Sequence, residues 1–112
     1  MPDFIIDNRL YYNPVEFVMD KIGGAYKMPI LWRLKDKNCR YSELKKSLSH
    51  ISDRMLSKSL KELEQYAFIS KEIFAEVPVR TEYSITEKGQ NCIPVIESLR
   101  NLGLEWMKND DS

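Results

Sequence analysis

The stretch ISDRMLSKSLKELEQYAF, Ile51 to Phe68, decides how the rest of the chain is read. Leu56, Leu60, Leu63 and Ala67 recur at i, i+4, i+7 and i+11, the spacing that lines one side of a helix and requires that side to be buried. Arg54, Lys58, Lys61 and Gln65 form a second row at the same spacing, joined near its start by Ser57. The opposite face therefore carries hydrogen-bond donors and positive charge. Ser52 reads as an N-cap whose hydroxyl can accept from an orphan amide of the first turn, and Asp53 behind it complements the positive end of the helix dipole. Taken alone, the same pattern describes an ordinary surface helix with a solvated outer face.

Its neighbour changes that reading. RYSELKKSL, Arg40 to Leu48, is a second short amphipathic segment with Tyr41, Leu44 and Leu48 inward, and only Ser49, His50 and Ile51 separate the two. Two helices joined by about three to four residues, the second with a polar and basic exposed face, have the form of a helix-turn-helix.

At 112 residues, 43% hydrophobic and 11% aromatic, the chain has the make-up of one soluble domain with a modest core. Nothing in it is long and apolar enough to span a bilayer, and MPDFIIDNRL has neither the basic start nor the apolar run of a secretory signal. Cytoplasmic residence is the default, with no membrane partner. Cys39 and Cys92 lack metal-type spacing and read as reduced thiols, buried or idle. No cofactor or metal is implied. Catalysis is not expected either: His50 is the sole histidine, and no acid pair or glycine-rich phosphate loop accompanies it.

Formal net charge is zero, yet its distribution is uneven. From Lys21 to Lys61 there are eleven Lys or Arg against three acids (Asp36, Glu43, Asp53), a balance of plus eight; the rest holds six basic and fourteen acidic residues, minus eight. Segregation of this size builds a basic face on a neutral molecule, and a basic face is what phosphate backbones require.

In chain order, residues 1–12 form a mixed arm whose Phe4, Ile5, Ile6, Leu10, Tyr11 and Tyr12 are too apolar for a solvated tail, so it packs on a partner or on the domain. Asn13, Pro14 and Glu16 spell a helix start: Asn caps, Pro suits the first position, and Glu reaches back to the cap amide. That helix runs to about Ile22 and ends at Gly23 and Gly24. A second helix spans Ala25 to Lys35 with Ile30, Leu31 and Leu34 inward, Pro29 being tolerable in or near its first turn. Asp36 to Cys39 is a turn. Phe68 to Glu76 and Thr81 to Ile85 read as a hairpin with Pro78 and Arg80 in its tip. After a helix-turn-helix such a hairpin is a wing, or else a plain cover for the core. Thr86 starts a last helix, Glu87 to about Lys108, which Pro94 would bend. Its apolar residues occupy more than one face, which calls for a second contact, in so small a chain a second copy of itself.

Gly23 and Gly24 followed by an aromatic and PILWRL, then RYSELKKSL, HISDRMLSKSLKELE and VPVRTEYSITEKG, together resemble the HxlR-type winged-helix transcription regulators, relatives of the MarR type. The resemblance covers about Asn13 to Trp106, nearly the whole chain. It implies an α+β, mainly helical fold: a winged helix-turn-helix with an added N-terminal arm and a C-terminal dimerisation helix over 87–108. It further implies a homodimer, held through Leu10, Tyr11, Leu99, Leu102 and Trp106, on a palindromic double-stranded operator. In that picture Ser52, Arg54, Ser57, Lys58 and Lys61 lie on the reading helix, Arg80 on the wing, and Lys27 and Arg40 near the phosphate backbone. The function implied is a sequence-specific regulator, a repressor acting by operator occlusion. The alternative is a winged-helix module that binds protein instead of DNA. The residues name no small-molecule effector, although a pocket between the last helix and the core would suit one.

Three departures stand out. Many members of that family carry a cysteine just before the first-helix proline and use it to sense oxidants; here the position is Asn13, which forms no thiolate. The usual Gly-Lys-Trp is Gly24-Ala25-Tyr26, leaving Lys27 as the candidate for a moved backbone contact. Ala67 replaces the glycine that ends the reading helix in relatives, at a cost of about 1 kcal/mol if the residue is left-handed.

Overall fold

Asn13 Oδ1 accepts the Glu16 amide at 2.9 Å and Pro14 takes the first helical position, so helix α1, Pro14–Ile22, starts where its cap sets it. The Glu16 carboxylate reaches one residue further back than expected, accepting from the Tyr12 amide at 2.8 Å and not from that of Asn13. It thereby ties the arm to the helix. The computed structural model describes residues 4–110.

The arm itself is a hairpin, which the sequence pattern did not announce. Strands β1 (Phe4–Ile6) and β2 (Arg9–Tyr11) pair antiparallel, Phe4 opposite Tyr11 and Ile6 opposite Arg9. The two-residue turn Asp7-Asn8 has φ of 53° and 64°, the left-handed pair that suits a tight hairpin and that Asp and Asn tolerate best after glycine. Tyr11, expected at the dimer contact, packs within its own chain. It is 1% exposed, with its ring 5.5 Å from that of Phe4 and 5.0 Å from that of Phe17, and its hydroxyl donates to Asp20 at 2.6 Å. Arg9 pairs with the same carboxylate. The Tyr11 hydrogen bond, with Arg9 and Lys21 nearby, holds the Asp20 carboxyl below the usual carboxylate range.

Helix α2, Lys27–Leu34, buries Ile30, Leu31 and Leu34. Strand β3 (Cys39–Arg40) leads directly into α3 (Tyr41–Ser47), a turn follows, and α4 spans Asp53–Gln65. Strands β4 (Ile69–Phe74) and β5 (Arg80–Ile85) make the second hairpin, and the sheet order is β3-β5-β4, antiparallel throughout. The core lies where α2, α3 and α4 meet this sheet, around Leu31, Leu44, Leu56, Leu63 and Ile69. Ile51, in the turn itself, is buried with them, so the helix-turn-helix is pinned at both helices and at its corner.

Ala67 is not part of the apolar stripe. Helix α4 stops at Gln65, and Ala67 lies just beyond it at φ 65°, exposed to solvent. There its amide donates to Glu64 O at 3.0 Å while that of Phe68 donates to Leu63 O at 2.9 Å, the paired bonds of a Schellman ending.

The last helix divides in two. Helix α5 is the short Glu87–Gln90, and α6 runs Ile93–Asp110. Thr86 fixes the first piece by accepting from the Gly89 amide at 3.1 Å, and Gly89 presses so close to the sheet that a Cβ there would fall 2.3 Å from Phe68 O. Pro94 does not bend a continuous helix. It occupies the second position of a new one, where its missing amide has no intrahelical acceptor to lose.

Helix α6 meets the domain mainly through its first turns: Ile96 is buried and the Arg100 guanidinium lies 5.2 Å from the centre of the Trp32 ring. Beyond that it projects. The Cα radius of gyration is 16.0 Å, against about 13 Å for a compact chain of this length. No described helix is long and apolar enough to cross a membrane.

Candidate nucleic-acid interface

Helix α4 begins where Ser52 accepts the Met55 amide at 3.1 Å. Its aim is set by α3. The Tyr41 hydroxyl donates to Asp53 Oδ1 at 2.9 Å and lies 3.5 Å from Ser57 Oγ, while Lys45 Nζ donates to Ile51 O at 2.7 Å and stands 3.5 Å from the Asp53 carboxylate. The Tyr41 hydrogen bond first, then Lys45, hold the Asp53 carboxyl below its usual range. With Leu56, Ser59, Leu60 and Leu63 buried behind it, α4 has one orientation and one outward face.

That face is cationic. Arg54, Lys58 and Lys61 are exposed and join no ion pair among the described residues, with Ser57 exposed between the first two and Ser52 exposed at the N-cap. Arg40 is exposed at the N-cap of α3. Lys71 belongs to the same neighbourhood although its place in the sequence did not single it out: it lines an open cleft of about 290 Å³ with Tyr41, Ser57, Lys61 and Tyr83. The signal was available, because alternation along β4 puts Lys71 on the same side as the buried Ile69.

The other two residues of the expected set have partners within the fold. Lys27 is 9% exposed, its Nζ donating to Lys21 O at 3.2 Å and standing 3.7 Å from Glu62, so it fastens α2 to the end of α1 and to the inner side of α4. Arg80 is not in the wing tip but opens β5, where it lies between Glu76 and Glu82.

An antiparallel three-stranded sheet on a helix-turn-helix, with its second and third strands forming the projecting hairpin, is a winged helix. A family model described as HxlR-like helix-turn-helix matches residues 21–111. The chain belongs to the HxlR family. An uncharacterized HTH-type transcriptional regulator of Methanothermobacter thermautotrophicus is 41% identical over 98 residues, spanning 88% of this chain and 72% of that protein. YdeP of Bacillus subtilis, of the same description, is 38% identical over 98 residues, 88% of this chain and 77% of its own length. Among solved structures, the redox regulator HypR in its oxidized form aligns with a TM-score of 0.77 at 33% identity, covering 88% of this chain and 97% of that one. The reduced form of the transcriptional regulator YodB from B. subtilis gives 0.70 at 28% identity, covering 89% and 95%. For this HxlR-family chain, DNA binding and transcription regulation are thus the functional class.

Proposed function

We propose that the protein is a homodimeric repressor that binds a palindromic operator and occludes a promoter. The observation that carries this reading is the row Arg54, Lys58 and Lys61, unpaired among the described residues on the exposed face of a helix whose other side is locked into the core. Lysine and arginine contacts to phosphate supply most of the affinity and make it steeply salt-dependent, while Arg54 and its neighbours Ser52 and Ser57 supply base discrimination. Arg40 grips the backbone beside them. Two copies of α4 spaced by one DNA turn, about 34 Å, set the half-site separation. Helix α6 over 93–110 and the arm over 4–12 form the dimer contact through Leu10, Leu99, Leu102 and Trp106, whose apolar side chains are exposed in the single chain.

The test is a titration of the purified protein against mixed genomic duplex at two salt concentrations, followed by selection of bound fragments. A binding constant that does not move with salt would turn the reading toward a protein-binding module. On the selected operator, Arg54→Ala is expected to cost about 1–3 kcal/mol, with random DNA much less affected. Equal loss on both would reassign Arg54 to phosphate.

HypR is a redox regulator, and we infer that this chain's signal does not arrive by a thiolate. Asn13 is committed to capping α1, and burial pushes the Cys39 and Cys92 thiols above their ordinary pKa, Glu43 adding to the effect at Cys39. Operator affinity measured before and after mild oxidant should therefore be unchanged.

A further inference from the structure

The wing carries a cation that is already occupied. In the β4–β5 register Phe74 lies opposite Arg80, and the guanidinium stands 4.2 Å from the centre of the Phe74 ring. Arg80 Nη1 is 3.5 Å from Glu76 Oε2, and Arg80 Nε is 3.7 Å from Glu82 Oε2. These are charge contacts beyond good hydrogen-bond length, and Nε, buried, has no hydrogen-bond partner among the described residues. Two carboxylates thus surround one guanidinium, and Glu72 lies directly across from Glu82, so the excess charge on this side of the hairpin is negative. The tip between the strands, Val77, Pro78 and Val79, is exposed and apolar.

Arg80 nevertheless faces Arg40, the residue proposed above to grip the duplex backbone. It lines an open cleft of about 490 Å³ whose far wall is Arg40, Tyr41 and Ser42, at the start of the helix-turn-helix. We propose that Glu76 and Glu82 serve as intramolecular counter-ions that hold Arg80 against Phe74, so that the wing grips no phosphate and duplex affinity is held below what the chain's own cations could give. This inference rests on the DNA-binding reading. It makes Glu76 and Glu82 affinity-setting residues, although neither touches the nucleic acid: a guanidinium paired to carboxylate displaces no counter-ion from DNA, whereas a released one does.

The experiment uses the full chain, a fluorescent mixed-sequence duplex, and binding measured at about 50 and about 200 mM salt. Glu76→Gln with Glu82→Gln should tighten binding at low salt and steepen the log–log salt slope by about 0.9 per protomer, which for one protomer is a roughly threefold larger loss of affinity across that range. Arg80→Ala alone should leave the slope where it is, and in the Arg80→Ala background the two glutamines should no longer steepen it. Circular dichroism melts establish that each variant is folded. A parent slope that Arg80→Ala lowers by about one would overturn the proposal, since Arg80 would then already hold a phosphate. So would glutamine variants that steepen the slope equally without Arg80, which is the result of removing repulsion alone. A parent that shows salt-dependent binding while the glutamine pair leaves its slope unmoved sinks this inference only; a parent with no salt-dependent binding sinks the DNA-binding reading and this inference with it.

Discussion

Ala67 holds a backbone conformation that its side chain opposes. At φ 65° its Cβ crowds the neighbouring carbonyl, and the position survives because the Schellman bonds of Ala67 and Phe68 close the end of α4 while Phe68 is drawn into the core. Glycine would adopt the same angles without that crowding, so Ala67→Gly is expected to stabilise the fold by about 1 kcal/mol. Urea denaturation at one fixed protein concentration measures it; a midpoint that falls would mean that the added freedom of the unfolded chain outweighs the strain. The cost is legible from the family resemblance, since relatives end this helix with glycine where this chain has Ala67. Arg80 shows the opposite case. Its residue type and its place in VPVR point to an exposed tip, but what neutralises it is local hairpin geometry: Glu82 stands two residues on along the same face of β5, and the turn folds Glu76, four residues back, onto the guanidinium.

At the scale of elements, the helices whose apolar residues face one core were legible, because a period of 3.6 and a cap residue state both the element and its buried side. Helices α1, α3 and α4 were read within a residue or two of their ends. The arm hairpin was missed because its strands are three residues long and alternate too briefly to register, and because its turn uses Asp7-Asn8 where glycine is the usual signal. The break between α5 and α6 escapes the sequence pattern because Pro94 reads as a kink in one helix, whereas α5 already ends at Gln90 and Pro94 falls in the first turn of α6. What no periodicity could supply is the brace between α3 and α4. Tyr41 donates to Asp53 from twelve residues away, and through it the reading helix is fixed to its supporting helix. A carboxylate whose folded pKa is lowered stabilises the fold above the ordinary carboxylate range, and that contribution is lost as pH falls through the lowered folded value; Asp53, Asp20 and Glu43 all act in this sense. Tyr41→Phe removes the leading cause at Asp53. Stability should then fall at neutral pH and change less on acidification below the carboxylate range, as followed by thermal melts across a pH series. A parallel offset, the same at every pH, would show that Tyr41 contributes through packing and not through the carboxylate.

At the scale of the molecule, α6 carries two faces with separate duties. Ile96 and Arg100 face the domain, while Val95, Leu99, Leu102 and Trp106, at i, i+4, i+7 and i+11, leave a continuous apolar stripe uncovered, Trp106 being 61% exposed. An 18-residue helix is roughly 27 Å long, so the exposed stripe runs over several turns, and Leu10 of the arm and Val15 of α1 are exposed apolar residues as well. A lone copy would expose this surface to water, and on the palindromic operator proposed above it would meet only one half. The two consequences are linked, because joining two reading helices makes the second binding event intramolecular. Trp106→Glu places a carboxylate in the stripe at a position that touches neither the core nor α4. Sedimentation is expected to shift from dimer to monomer, the melting profile of the domain to persist, and affinity for a two-half-site operator to drop about a hundredfold or more while affinity for an isolated half-site stays put. If instead Trp106→Glu remained dimeric at every concentration yet lost operator affinity, the contact between copies would lie elsewhere on the chain, and the spacing of the two α4 helices would have to be derived from that other surface.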